Sequence, residues 1–242
     1  SKSKPIGTDQ FRHAKAVINP FSQIFKNDYP MFEKINLKDW KRKPYFDLYF
    51  NQMKCTYSIT VNMDITRLMT YKQRNNTKLY PLLIYAIAKS VNTYQEFRTA
   101  MDTDGNIGIW DVLHPCFTVF HKETETFSNI WTEWNNDLQK FLSNWTQDIE
   151  QFGKIEEIDP KPNTPTNVFP ISTLPWATFT GFNLNIVSDG KYLLPIFTFG
   201  KHFTQQDKIL IPLSIQVHHA VCDGFHVSRF IENVQRTFDL FE

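Results

Sequence analysis

Glycine is scarce in this chain, at eight residues in 242, and none of the eight belongs to a Gly-rich phosphate loop or a dinucleotide fingerprint. ATP and NAD are therefore poor ligands to expect. Cysteine is scarcer still: Cys55, Cys116 and Cys222 show no Cys-x-x-Cys spacing, and their odd number does not suit a disulfide framework. A reducing cytoplasm is the expected home. No apolar run approaches the about 20 residues that cross a bilayer, and the first residues lack the apolar core of a secretory signal. A formal charge of +1 provides no field that would collect nucleic acid or an anionic membrane. The expectation is a soluble globular chain without internal repeats.

What is present in quantity is apolar and aromatic side chain, 41% and 15% of the residues, enough to bury a substantial core. Residues 1–30 begin polar and basic, with Lys2, Lys4, Arg12 and Lys15, and show little periodicity. They are set apart as an N-terminal extension, with Met31 as a candidate natural start and a single domain expected over 31–242. Within it, Lys54 to Met63 has strand character, Asp64 is placed to cap a helix to about Gln73, and a longer helix is expected over Leu79 to Phe97. Ile107–Trp110 and Phe117–Phe120 read as strands separated by a turn containing Pro115. A third helix carries Trp134, Leu138, Phe141, Trp145 and Ile149 inward, and Pro160, Pro162 and Pro165 mark a loop after it. Further strands are expected near Phe169–Ser172, Phe182–Val187, Leu193–His202 and Ile209–His218.

The most informative stretch runs from Gln216 to His226, where an apolar strand gives way to a helix marked by Val227, Phe230, Ile231, Val234 and Phe238. His219 falls where the strand ends. Such a position fixes the backbone and exposes the side chain, as a general base requires. Asp223 falls at the helix N-cap. His202, His218, His219, Cys222, Asp223 and His226 are also a local supply of metal ligands. Neighbouring residues of a strand point to opposite faces, however, so His218 and His219 do not suit one ion and no metal is expected.

The run His218-His219-Ala220-Val221-Cys222-Asp223-Gly224 resembles the His-x-x-x-Asp-Gly signature of the chloramphenicol acetyltransferases and the dihydrolipoyl acyltransferases. Trp40-Lys41-Arg42-Lys43, His121 to Ser128, Ser172-Thr173-Leu174-Pro175-Trp176 and Phe182-Asn183-Leu184-Asn185 look like the chloramphenicol acetyltransferase pattern in the same order, over the span from Phe32 to the C-terminus. The resemblance implies an α/β fold, a two-layer sandwich of a mixed β-sheet with packed helices, of the coenzyme A-dependent acyltransferase type. It implies acetyl transfer from acetyl-CoA to a hydroxyl of chloramphenicol, inactivating the antibiotic, in a cytoplasmic homotrimer with its sites between subunits. His219 would be the general base and Ser172 the hydrogen-bond donor to the tetrahedral oxyanion. Asp223 is expected to pair with Arg42 rather than to orient His219, and Thr198 to help hold the reacting centre through water. Tyr49, Cys55, Phe127 and Leu184 would surround the nitrophenyl ring, and Lys201 would face the coenzyme A tunnel. Asp159 departs from the pattern, standing where some members have an aromatic wall. Two other readings stay open: a dihydrolipoyl acyltransferase core, which shares the short motif, and a relative that binds the drug without turnover.

Overall fold

A computed structural model describes residues 31–184, 186 and 190–241. The N-terminal extension, Asn185 and the end of the strand expected near Val187 lie outside the described residues. In chain order the first elements are β1 (Phe32–Lys34), α1 (Lys43–Phe46) leading into a π-helical segment Asp47–Gln52, β2 (Thr56–Asp64), α2 (Thr66–Arg74) and α3 (Leu79–Thr93). A 3-10 turn at Gln95–Phe97 precedes β3 (Thr99–Met101), β4 (Ile107–Trp110), β5 (His114–His121), β6 (Thr126–Trp131) and α4 (Leu138–Phe152). The last third holds β7 (Val168–Thr173), β8 (Ile196–Phe199), β9 (Phe203–Gln205), β10 (Lys208–His218) and α5 (Gly224–Asp239).

Alternation along the strands decides the layers. The main sheet has the order β2-β10-β8-β7-β5-β6, with β9 beside β10. It is mixed, because β7 runs parallel to both β5 and β8 while β10 is antiparallel to β2 and β8. Phe117, Ile171, Phe197, Leu213 and Ile215 all point to one face and are fully buried there. The helices supply the other half of that core. Phe197 stacks on Phe230 of α5 with ring centres 5.2 Å apart, and Phe117 meets Trp145 of α4 at 6.1 Å. Each such ring, fully buried, contributes about 1.5–3 kcal/mol. The result is the α/β sandwich of mixed sheet and helices that the resemblance implied. A small antiparallel sheet, β1-β4-β3, lies apart from the main one in hydrogen bonding.

Three expectations need correcting. Pro115 lies inside β5, paired with Phe169, and not in a turn. His114 donates its amide to Asn167 on the β7 side, so the missing N–H of Pro115 faces β6, where pairing begins only at Cys116. The helix expected to Phe97 stops at Thr93, because Tyr94 is extended and Asn92 turns its side chain to both backbone groups of Leu113. Phe182–Leu184 forms no strand. Both edges of β10 are already taken there by β2 and β8, so the segment bonds to side chains instead: Ser214 Oγ donates to the Phe182 carbonyl at 2.7 Å, and the Leu184 amide donates to Gln216 Oε1 at 3.0 Å.

Candidate active site

Residues 219–223 leave β10 and enter α5 in a single turn, and that turn is held from outside. Arg42, just ahead of α1, spends its whole fork on it: Nη1 and Nη2 donate to the two Asp223 oxygens at 2.6 and 2.7 Å, Nη2 also donates to the His219 carbonyl at 2.8 Å, and Nε donates to the Ala220 carbonyl at 2.7 Å. A planar guanidinium can do this and an ammonium cannot. Asp223 meets Arg42 in the pairing the sequence suggested. At the helix start, Asp223 and His226 form a capping box, with the Asp223 amide donating to His226 Nδ1 at 2.9 Å.

His219 projects from this turn with 26% of its side chain exposed. Its backbone amide donates to the Cys55 carbonyl at 2.9 Å, which ties the turn to the start of β2. Its ring lies flat on Tyr49, with centres 3.7 Å apart and planes 4° from parallel, and Tyr57 meets it edge-on at 5.1 Å. The π-helical segment is what delivers Tyr49. Asp223 Oδ1 comes within 3.3 Å of His219 Nδ1, but that nitrogen is buried without a hydrogen-bond partner. No serine-protease type of triad is formed. His218, by contrast, is 1% exposed, accepts from the Ala220 amide at 3.1 Å and packs toward Phe50.

Ser172 lies near the end of β7, where its hydroxyl contacts that of Thr198 at 2.9 Å. Register aligns Ser172 with Thr198 and Thr198 with Ser214. His219 is five residues beyond Ser214, about 16 Å along the strand, and two strand spacings add about 10 Å sideways. The two proposed reactive groups of one chain are therefore on the order of 19 Å apart. The other candidates divide the same way. Tyr49 and Cys55 lie with His219, while Phe127 pairs across β6 and β5 with Phe120, which contacts Trp176 just after Ser172. Leu184 is anchored over β10 through Gln216. Lys201 lines a cavity of about 320 Å³ together with Thr173, Pro175, Tyr80 and His202. Asp159 accepts from Asn129 at 3.2 Å, and burial with Asp159 nearby pushes the Cys116 thiol up to about 11.

Sequence reading did not find Tyr57, whose alternating strand pattern carries no mark of its place beside His219, nor the two carbonyl bonds of Arg42. It did not single out His226 as a partner of Asp223, although an acceptor three residues into a helix is a readable capping signal. Hydrogen bonds from Arg42 lead the effects that hold the Asp223 carboxyl below the usual carboxylate range. A depressed carboxylate stabilises the fold above its unfolded value of about 3.9, and that contribution disappears as pH falls through the folded value. Arg42→Ala is expected to remove it. Because the Asp223 side chain is 37% exposed, the loss should be about 1–3 kcal/mol, below the roughly 3–5 kcal/mol of a fully buried pair. Thermal melting from pH 3 to 7 checks this, and an unchanged melting temperature at neutral pH would contradict it.

A family model described as chloramphenicol acetyltransferase matches residues 31–235. A chloramphenicol acetyltransferase of Clostridium butyricum is 52% identical over 204 residues, spanning 84% of this chain and 93% of the relative. One from Clostridium perfringens is 49% identical over 211 residues, 87% of this chain and 96% of the relative. Among solved structures, a chloramphenicol acetyltransferase superposes with a TM-score of 0.78 at 20% identity, covering 86% of this chain and 100% of that one. The cubic core of the pyruvate dehydrogenase multienzyme complex reaches 0.62 at 17% identity, covering 76% and 81%, so these two structures share the fold. Through the family match and its two close relatives, this chain belongs to the chloramphenicol acetyltransferase family.

Proposed function

We propose that the chain transfers the acetyl group of acetyl-CoA to a hydroxyl of chloramphenicol. In this reading the His219 ring takes the hydroxyl proton, the oxygen attacks the thioester carbonyl, and Ser172 donates to the resulting oxyanion before coenzyme A leaves as the thiol. Commitment of both Asp223 oxygens to Arg42 supports it most, because the turn is fixed without using the imidazole. With the proton of the neutral ring on Nδ1, the Nε2 lone pair is left to act as base. Thr198 orients Ser172, and Tyr49, Cys55, Phe127 and Leu184 contribute the apolar wall around the nitrophenyl ring. Lys201 faces the coenzyme. Thiol release from acetyl-CoA should depend on chloramphenicol. Release with dihydrolipoamide alone, or drug binding without release, would overturn the proposal.

The same reading requires more than one copy of the chain, because His219 and Ser172 of one copy are too far apart to meet on one substrate. A homotrimer with its sites between neighbours satisfies this. Phe127, Trp176 and Leu184, with 55%, 61% and 45% of their surface exposed, are the apolar side chains that a neighbour would cover. Co-refolding inactive His219→Ala and Ser172→Ala chains in equal amounts should restore about a quarter of full activity, since a site is complete when a neighbour supplies the missing group. No recovery in mixed oligomers would count against shared sites.

A further inference from the structure

Behind the Arg42–Asp223 pair lies a cavity of about 440 Å³, bounded by Trp40, Arg42, Glu96, Val221 and His226. Its charged wall continues the 219–223 turn inward. Arg42 holds the carboxylate of Asp223, but the backbone of Asp223 is held by His226, whose Nδ1 accepts the Asp223 amide. A ring nitrogen that accepts must carry its lone pair, so the His226 proton sits on Nε2. That nitrogen faces Glu96 Oε1 at 3.7 Å, too far for a hydrogen bond but close enough for charge to matter. Glu96 in turn accepts from Arg229 Nη2 at 3.1 Å, and the Arg229 guanidinium lies over the Tyr94 ring at 4.4 Å. The neutral His226 ring therefore sits between two carboxylates, Glu96 and Asp223, each of which is paired with an arginine, Arg229 and Arg42.

Asp223 and Arg229 face His226 from its own end of the chain, Glu96 from the 3-10 turn, and Arg42 from ahead of α1, with Asp39 and Lys41 also lining the cavity. Burial disfavours the charged ring most strongly, Arg42 and Arg229 act in the same sense, and Glu96 and Asp223 oppose them; the net direction is downward. A second proton on Nδ1 would set one N–H against another and open the capping box.

We propose that neutral His226, steadied by Glu96, is a positioning residue for acetyl transfer: it fixes the backbone of Asp223, and through Arg42 the carbonyl of His219. The inference rests on His219 being the base. Misplacing a reacting group by a fraction of an ångström to an ångström costs on the order of 10- to 100-fold in rate. His226→Ala should accordingly lower kcat by about 10-fold or more, with the KM for chloramphenicol changed less than about threefold. In His226→Asn the amide oxygen occupies the place of Nδ1 and does not titrate. That variant should keep kcat within about threefold and show a shallower acid limb than the parent enzyme. Should His226→Ala not fold, the rate and pH profile of His226→Asn decide alone. A His226→Ala enzyme within about twofold of the parent, equal losses in both variants, or identical acid limbs for parent and His226→Asn would overturn the positioning role. A fully active His219→Ala enzyme would instead remove the base on which it rests, an outcome separable from these.

Discussion

His219→Ala is expected to abolish nearly all acetyl transfer, by a factor on the order of 10³ to 10⁴, while the protein stays folded and binds chloramphenicol. The turn is held chiefly by the backbone of His219: the amide goes to Cys55 and the carbonyl to Arg42, and both bonds survive truncation at Cβ. What the ring loses is its stack on Tyr49, a contact worth about 0.5–1.5 kcal/mol between aromatic faces. His218 offers no substitute, because it is sequestered under Phe50 and already accepts the Ala220 amide. His218→Ala should therefore lower the melting temperature more than it lowers turnover. Turnover, drug binding and sedimentation of both variants test the pair. An active His219→Ala, or one inactive only through unfolding, would refute the assignment.

Ser172→Ala should lower kcat by about 100-fold or more with little change in the KM for chloramphenicol. The oxyanion exists only along the reaction path, so a donor aimed at it contributes little to ground-state binding. A second effect distinguishes this variant from an ordinary loss of contact. Thr198 is 2% exposed and has its hydroxyl against that of Ser172, so removing the serine leaves a buried hydroxyl short of a partner at a cost of about 1–3 kcal/mol. Ser172→Ala should thus melt earlier as well as turn over more slowly. Thr198→Val, which keeps Ser172, should slow turnover by a smaller factor. A Ser172→Ala enzyme with unchanged kcat and a raised KM would contradict the oxyanion role.

Residues whose local pattern agrees with their tertiary place were readable in advance. β10 announced itself by a largely apolar, β-branched run, α5 by the spacing of Val227, Phe230 and Val234, and the end of β10 put His219 at a rim. Failures occurred where a distant group decides a local matter. Phe182–Leu184 has the composition of a strand, yet β2 and β8 had claimed both edges of β10. Pro115 looks like a turn until the β6 register is known. β1, β3 and β9, at three residues each, are too short to show a period. At the site, the resemblance supplied Arg42 as the partner of Asp223. Its bonds to two carbonyls could not be inferred, since backbone acceptors carry no residue-type signature.

The grip of Arg42 on Ala220 spans 178 residues of chain. Closing so long a loop carries an entropic cost that only the finished α/β core can offset, so the 219–223 turn belongs to the slow, non-local part of folding. Local helices such as α3 can form while the turn is still open. A refolding chain should regain helical signal before it regains turnover, and a nascent chain from which α5 has yet to emerge cannot hold His219 in place. Catalytic competence is thus a late checkpoint on closure of the long-range contact between residues 42 and 220.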